Sequence, residues 1–158
     1  MPTTFIDVIL PLAVPGTFTY AVPMEAGPVA AGMRVVVPFG RGRKLYTGLV
    51  RRVLNQPDTD RVVREVYSVL DTAPVMTVAQ LELLDRIADH YLCTPGEVML
   101  ASMPGQLVLT SASRLIAVPG VPRDLAMLGR EGIILDALDS QEVITMQQAG
   151  ELLGVKDP

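Results

Sequence analysis

Residues 33–54 read MRVVVPFGRGRKLYTGLVRRVL, and this stretch decides the fold. An apolar run, Val35 to Val37, leads into a turn at Pro38-Phe39-Gly40. Arg41, Arg43 and Lys44 then cross a glycine-containing loop, and the chain resumes as Leu45 to Leu54. Two apolar, partly β-branched runs around a short Gly-rich connection predict a β-hairpin. So many cations in one loop resist burial without partners, so the tip should face solvent. A basic loop on a rigid sheet suits a phosphate chain, and the same composition also describes a plain solvated hairpin tip.

Working outward toward the N-terminus, residues 4–10 read as a strand with Phe5 and the run Val8-Ile9-Leu10, and PLAVPG follows as a turn-rich link. Thr17 to Val22 alternates, with Phe18, Tyr20 and Val22 on one face and Thr17, Thr19 and Ala21 on the other. Toward the C-terminus, NQPDTD (55–60) is a polar loop, and Arg61 to Leu70 reads as a further strand in which Val63, Tyr67 and Val69 alternate with Arg64, Val66 and Ser68. Short strands at this density predict a small bent antiparallel sheet or barrel.

The period then changes. Thr77 can cap a helix whose apolar positions are Leu81, Leu84, Ile87, Ala88 and Tyr91, with Asp85, Arg86 and Asp89 facing out. Thr94-Pro95-Gly96-Glu97 is a capping box with proline at the first helical position, predicting a second helix to about Ser102, ended by Pro104-Gly105. Both helices should cover one side of the sheet. Residues 106–123 read as a linker holding one apolar run, Leu115 to Val118. Two helical patterns follow, Asp124 to Leu138 and Thr145 to Leu153, the latter with Gln148 completing its cap and Gly154 ending it. The second pattern looks like the first half of a helix-turn-helix, and the chain stops at Pro158 before a recognition helix, as a fragment would. The fold class expected is therefore α+β: a bent antiparallel sheet or barrel with two covering helices over residues 1–105, then a helical segment over 124–158.

Composition narrows the function. No apolar run approaches the roughly 18 residues of a membrane helix, and residues 1–18 lack the preceding positive charge of a signal peptide. One cysteine excludes an internal disulfide and fits a reducing, cytoplasmic setting. One Cys and one His cannot supply a thiolate and imidazole zinc site. The net charge of −4 conceals an asymmetry: residues 1–69 hold eight Lys or Arg against five acids, and residues 70–158 hold five against twelve. Seven of those eight cations lie between Arg41 and Arg64, and a polyanion responds to this local field rather than to the net charge. His90 and Cys93 invite a thiolate–imidazole reading, but without an orienting group or oxyanion donor a structural role is favoured. Asp85 and Asp89 read as solvated, and the scattered methionines as core filler. No phosphate loop with Lys-Ser/Thr occurs, so the chain itself is not expected to hydrolyse a nucleotide.

Four segments, VILPLAVPGTFTYAVP, GMRVVVPFGRGRKLYTGLV, VLDTAPVMT and IADHYLCTPGEVMLASMPG, occur in an order and spacing that resembles the amino-terminal DNA-binding domain of the PriA family of replication-restart helicases. The resemblance implies a pocket for the 3′-hydroxyl end of a DNA strand at a fork, with Phe18, Thr19, Tyr20, Gly40 and Arg64 at the pocket positions. The basic hairpin loop itself adds Arg41, Arg43 and Lys44 as expected DNA-backbone contacts. The resemblance implies a winged-helix domain beginning in 124–158, and, beyond this chain, helicase lobes using ATP and magnesium and a zinc-binding module. No cofactor is expected for the fragment itself. Single-strand-binding protein and other primosome proteins are the implied partners beside DNA.

The chemistry of such a pocket is coherent. Any base can be terminal, so the base is held by stacking and main-chain contacts, with Tyr20 the expected stacking face. Glycine admits the nucleotide closely, and arginine neutralises its phosphate. At one position the chain departs from the family, which often has Asp between the two aromatics where this sequence has Thr19. A hydroxyl is a weaker acceptor than a carboxylate, so the 3′-hydroxyl is held less tightly, or by main-chain carbonyls, or with reduced selectivity. The competing reading is a protein-docking barrel whose basic hairpin receives an acidic peptide, such as the tail of single-strand-binding protein.

Overall fold

The computed structural model describes residues 4–41, 44–57, 59, 62–108, 113–118 and 130–154. The chain divides into two compact units, 1–109 and 110–158. In the first, strands β1 (Thr4–Ile9), β2 (Phe18–Val22), β3 (Arg34–Phe39), β4 (Lys44–Leu54), β5 (Arg64–Glu65) and β6 (Ser68–Val69) form one curled sheet in the order β5-β2-β1-β4-β3-β6. The hairpin of residues 33–54 is β3 and β4, in antiparallel register from Arg34↔Leu49 to Phe39↔Lys44.

Both faces are covered where β1 and β4 pair at the middle of the sheet, so Val8 and Ile9 lie beside Val50 and Leu49, all fully buried. Ile6, Val8, Tyr20, Val22, Val35, Val37 and Val50 fill the inside of the curl. On the outer face, Ile9 and Leu49 pack against Leu81, Leu84, Ala88, Val98 and Met99 of helices α1 (Val78–Tyr91) and α2 (Pro95–Ser102). A fully buried Ile or Leu contributes about 1.5–3 kcal/mol, so these two clusters supply most of the drive to fold. Thr77 and Thr94 begin the helices with complete capping boxes, closed by Gln80 and Glu97. Gly96 lets α2 seat its first turn on the segment that follows β1: a Cβ there would lie 2.2 Å from the carbonyl oxygens of both Leu10 and Leu12.

Two expectations are corrected here. Of the stretch 61–70, expected as one strand, residue 61 lies outside the described residues and 62–70 holds two short strands instead. The Val66 N–H donates to Ala21 O at 2.9 Å and the Tyr67 N–H to Val36 O at 2.8 Å, so the segment bridges β2 and β3 and draws the two edges of the sheet together. β5 accordingly runs parallel to β2, whereas β6 runs antiparallel to β3. The crossing also breaks the expected alternation: Val66 is buried and Tyr67 half exposed, yet Val69, expected on the face of Tyr67, packs against the core. The second correction concerns Tyr91, which is exposed at the end of α1. Leu92 adopts a left-handed conformation (φ 53°), and the turn brings Cys93, rather than Tyr91, against the helical core.

In the second unit, β7 (Arg114–Ile116) pairs antiparallel with β8 (Val143–Thr145), and helices α3 (Arg130–Ser140) and α4 (Met146–Leu152) share with them a core of Leu138, Ile144 and Ala149. The apolar run in the stretch read as a linker is thus strand β7. Thr145 caps α4 with Gln148, as the spacing predicts. Residues 124–129 of the preceding helical pattern lie outside the described residues.

Candidate functional site

The tip of the β3–β4 hairpin meets β2 and β5 at one end of the curl. Gly40 turns the chain with φ +79°, and a Cβ at Gly40 would meet nothing within 4 Å, so the space beside it is open. The Arg64 Nη1 donates to Gly40 O at 3.1 Å on the surface. Two residues earlier, Pro38 O accepts from the Tyr20 hydroxyl at 3.0 Å. Tyr20 and Arg64 are themselves register partners across β2 and β5. Between the two carbonyls stands Phe39, half-buried, its ring 4.7 Å from that of Phe18 at 67° and 6.3 Å from that of Tyr46 at 82°. Such edge-to-face pairs are worth about 0.5–1.5 kcal/mol each beyond area burial, so the trio is a stiff surface. Arg41 and Lys44 are exposed on either side of the turn, and Arg43 lies outside the described residues.

The structure therefore brings together Phe18, Tyr20, Gly40 and Arg64. It corrects the role expected of Tyr20. With 4% of its surface exposed, the ring has no face to offer a base, because the face shared by Phe18, Tyr20 and Val22 is the inside of the curl. Tyr20 instead ties β2 to the hairpin tip. Burial pushes its phenol up to about 12 from an ordinary 10, opposed in part by the nearby Arg64 charge. The phenol is neutral in the fold and ionises first in the unfolded chain. Its contribution is thus complete below pH 10 and lost as pH rises through 12. At about 1.4 kcal/mol per pH unit, wild type should lose about 2–3 kcal/mol over that interval relative to Tyr20→Phe. Urea titrations of both proteins at several alkaline pH values measure this difference.

Thr19 lies on the opposite face of β2. Its hydroxyl donates to Asp7 Oδ1 at 2.7 Å, and Arg52 Nε donates to Asp7 Oδ2 at 2.6 Å. Sequence reasoning passed over Asp7, Arg52, Phe39 and Tyr46. The signal for the last two was the register implied by a tight turn, which sets Pro38 opposite Leu45 and places Phe39 near Tyr46. His90 packs edge-on against Tyr91 on the surface, and Cys93 is half-buried in the helical core. Among the described residues no group of three His, Cys, Asp or Glu could hold a metal ion, and no helix is long and apolar enough to cross a membrane. Partly buried rings beside a guanidinium and an open glycine suit a ligand with an apolar face and an anionic group.

The curated relatives include the Replication restart protein PriA of Buchnera aphidicola subsp. Acyrthosiphon pisum (strain APS), 26% identical over 100 residues. They also include the Replication restart protein PriA of Bacillus subtilis (strain 168), 35% identical over 92 residues. These alignments take in 63% and 57% of this chain but only 13% and 11% of the relatives' length. The family model described as the 3'DNA-binding domain (3'BD) of PriA matches residues 7–104, which spans the curled sheet and both of its covering helices. By that match over more than half of its length, the chain belongs to the PriA 3′DNA-binding domain family.

Proposed function

We propose that the chain is a DNA-binding module of replication restart that takes the 3′-hydroxyl end of a nascent strand at a stalled fork, whatever its terminal base. The observation that carries this reading is the Arg64–Gly40 contact beside the Phe18–Phe39 ring pair. Arg64 supplies a fixed cation for the terminal phosphate, and the space over Gly40 admits the nucleotide. The partly exposed rings of Phe18 and Phe39 are there for any base to stack on, in place of Tyr20. Toward Phe18, β2 has a described neighbour only in β1, so a strand end lying on that open edge can meet Phe18 on one face of the sheet and Thr19 on the other.

Arg41 and Lys44 hold the strand's phosphates without regard to sequence. The longer protein to which such a module belongs would be the ATP-dependent helicase that reloads the replisome, with the second unit opening its winged-helix domain. Binding of fluorescent single strands identical except for a 3′-hydroxyl or 3′-phosphate end, read by anisotropy, tests the reading. The hydroxyl end should bind more tightly, and Phe18→Ala should cost about 1–3 kcal/mol of binding. Removing both Arg41 and Lys44 should weaken all strands alike and flatten the logarithmic salt slope by about 0.7 per lost contact. Equal binding of both ends, with no effect of Phe18→Ala or Arg64→Ala, would reject the end-binding mechanism.

A further inference from the structure

Asp7 is the one buried carboxylate among the described residues, its side chain 3% exposed. The sheet itself does not call for a charge at this position. Ile6 and Val8 fill the inside of the curl, and Asp7 projects to the outer face, where the next residue on that side, Ile9, packs under the helices. An apolar side chain there would avoid desolvation altogether, and a buried ion pair seldom stabilises a fold more than good packing does. Its two oxygens are engaged separately. Across β1 and β4 its register partner Arg52 anchors Oδ2, and across β1 and β2 its register partner Thr19 donates its hydroxyl hydrogen to Oδ1.

This arrangement determines what Thr19 can do. A threonine hydroxyl carries one hydrogen and two acceptor lone pairs. With the hydrogen committed to Asp7, Thr19 Oγ1 can only accept, and the carboxylate's charge strengthens it as an acceptor. An uncommitted threonine would donate equally well to a phosphate oxygen; this one favours ligands that bring a hydrogen. We infer that Asp7 is a positioning residue for end selectivity, holding Thr19 Oγ1 as an acceptor-only group for the terminal sugar hydroxyl. The carboxylate absent from position 19 thus acts from the neighbouring strand, through a hydroxyl. This inference rests on the proposed placement of a strand end against Phe18 and Thr19.

The test uses the 158-residue chain and strands of one sequence ending in a 3′-hydroxyl, a 2′,3′-dideoxy sugar or a 3′-phosphate. Wild type should prefer the hydroxyl to the dideoxy end by up to roughly tenfold, the effect of one hydrogen bond to a polarised hydroxyl. In Asp7→Asn the amide oxygen turns to Arg52, which can only donate, and its NH2 faces Thr19 and frees the hydroxyl hydrogen, so that ratio should fall within about twofold of unity while affinity for the dideoxy strand stays within about twofold of wild type. The ratio is taken on one preparation, so it does not depend on the folded fraction, and a destabilised Asp7→Asn still reports. Thr19→Val should lose the preference in the same way. The double variant Asp7→Asn/Thr19→Asp, which places a carboxylate directly on β2, should regain it, a rescue that a merely structural Asp7 would not allow. If Thr19→Val loses the preference and Asp7→Asn keeps it, the role of Asp7 is overturned and end binding stands. If both variants keep it, the acceptor-only threonine is overturned. If wild type shows no preference among the three ends, the end-binding reading fails first and takes this inference with it.

Discussion

Asp71→Ala is expected to cost about 3–5 kcal/mol of folding stability, the price of breaking a largely buried ion pair at one partner. Arg34 on β3 spends nearly its whole hydrogen-bonding capacity here. Its main-chain N–H donates to Asp71 Oδ2 at 2.8 Å, Nη2 to Oδ1 at 2.6 Å, and Nε to both oxygens. Its Nη1 reaches Leu107 O at 3.0 Å. Removing the carboxylate strands a guanidinium that is 14% exposed and orphans a main-chain donor at the start of β3. It also loosens the segment that leads from β6 to α1. Hydrogen bonds from Arg34 hold the Asp71 carboxyl below its ordinary 3.8, against an opposing contribution from burial. The sign follows: the stabilisation is complete above the ordinary carboxylate range and is lost as pH falls through the depressed value. Urea midpoints of wild type and Asp71→Ala should therefore differ most near neutrality and converge in acid. Asp71→Asn, which keeps an acceptor for the main-chain N–H, should lose less at pH 7. Equal midpoints for wild type and Asp71→Ala at pH 7 would show that the pair contributes nothing net.

What the sequence disclosed was local, and what it concealed was made by tertiary contact. The hairpin of residues 33–54 and the capping boxes at Thr77, Thr94 and Thr145 were legible because each depends on residues at most a few positions apart. The stretch 61–70 was not legible. Its two-residue strands exist only because it spans both edges of a sheet already curled, and no period within ten residues encodes that. The strand face holding Phe18 and Tyr20 was correctly read, but alternation tells which residues share a face and not which face is sealed. Tyr20 consequently became a stacking candidate on its polar tip, when that tip serves a hydrogen bond inside the fold. The resemblance supplied the family, and two of the residues it implied, Gly40 and Arg64, meet at the hairpin tip. It could not supply Asp7, whose relation to Thr19 is a matter of register across twelve residues and a turn. Phe39 and Tyr46 were hidden for the same reason, their partnership being made across the hairpin rather than along it.

Gly32→Ala is expected to lose at least about 4 kcal/mol of stability, near the upper end of single-residue effects, whereas Gly40→Ala should lose only about 1–2 kcal/mol. The two glycines have almost the same backbone, φ +85° and φ +79°. A methyl group in that left-handed region carries the same intrinsic strain at both. Their surroundings differ. A Cβ at Gly32 would stand 1.8 Å from Met76 O, and relief would have to move main chain rather than a side chain. That main chain is what Gly32 holds: its N–H donates to Val50 O at 2.8 Å, and its carbonyl accepts from Val75 and Met76 at 2.9 and 3.2 Å. Moving Met76 away breaks bonds worth about 0.5–1.5 kcal/mol each and displaces the residues that lead into α1, so the helical layer loosens from the sheet. Gly40 has only open space above it, and its methyl would stand where the strand end is proposed to lie. The pair therefore separates scaffold from site. In urea titrations Gly32→Ala should shift the midpoint strongly and Gly40→Ala weakly. In anisotropy with a 3′-hydroxyl strand, Gly40→Ala should lose roughly tenfold in affinity, the equivalent of about 1.4 kcal/mol, while remaining folded. A Gly40→Ala protein that binds the strand as wild type does would place the end somewhere other than over the hairpin tip.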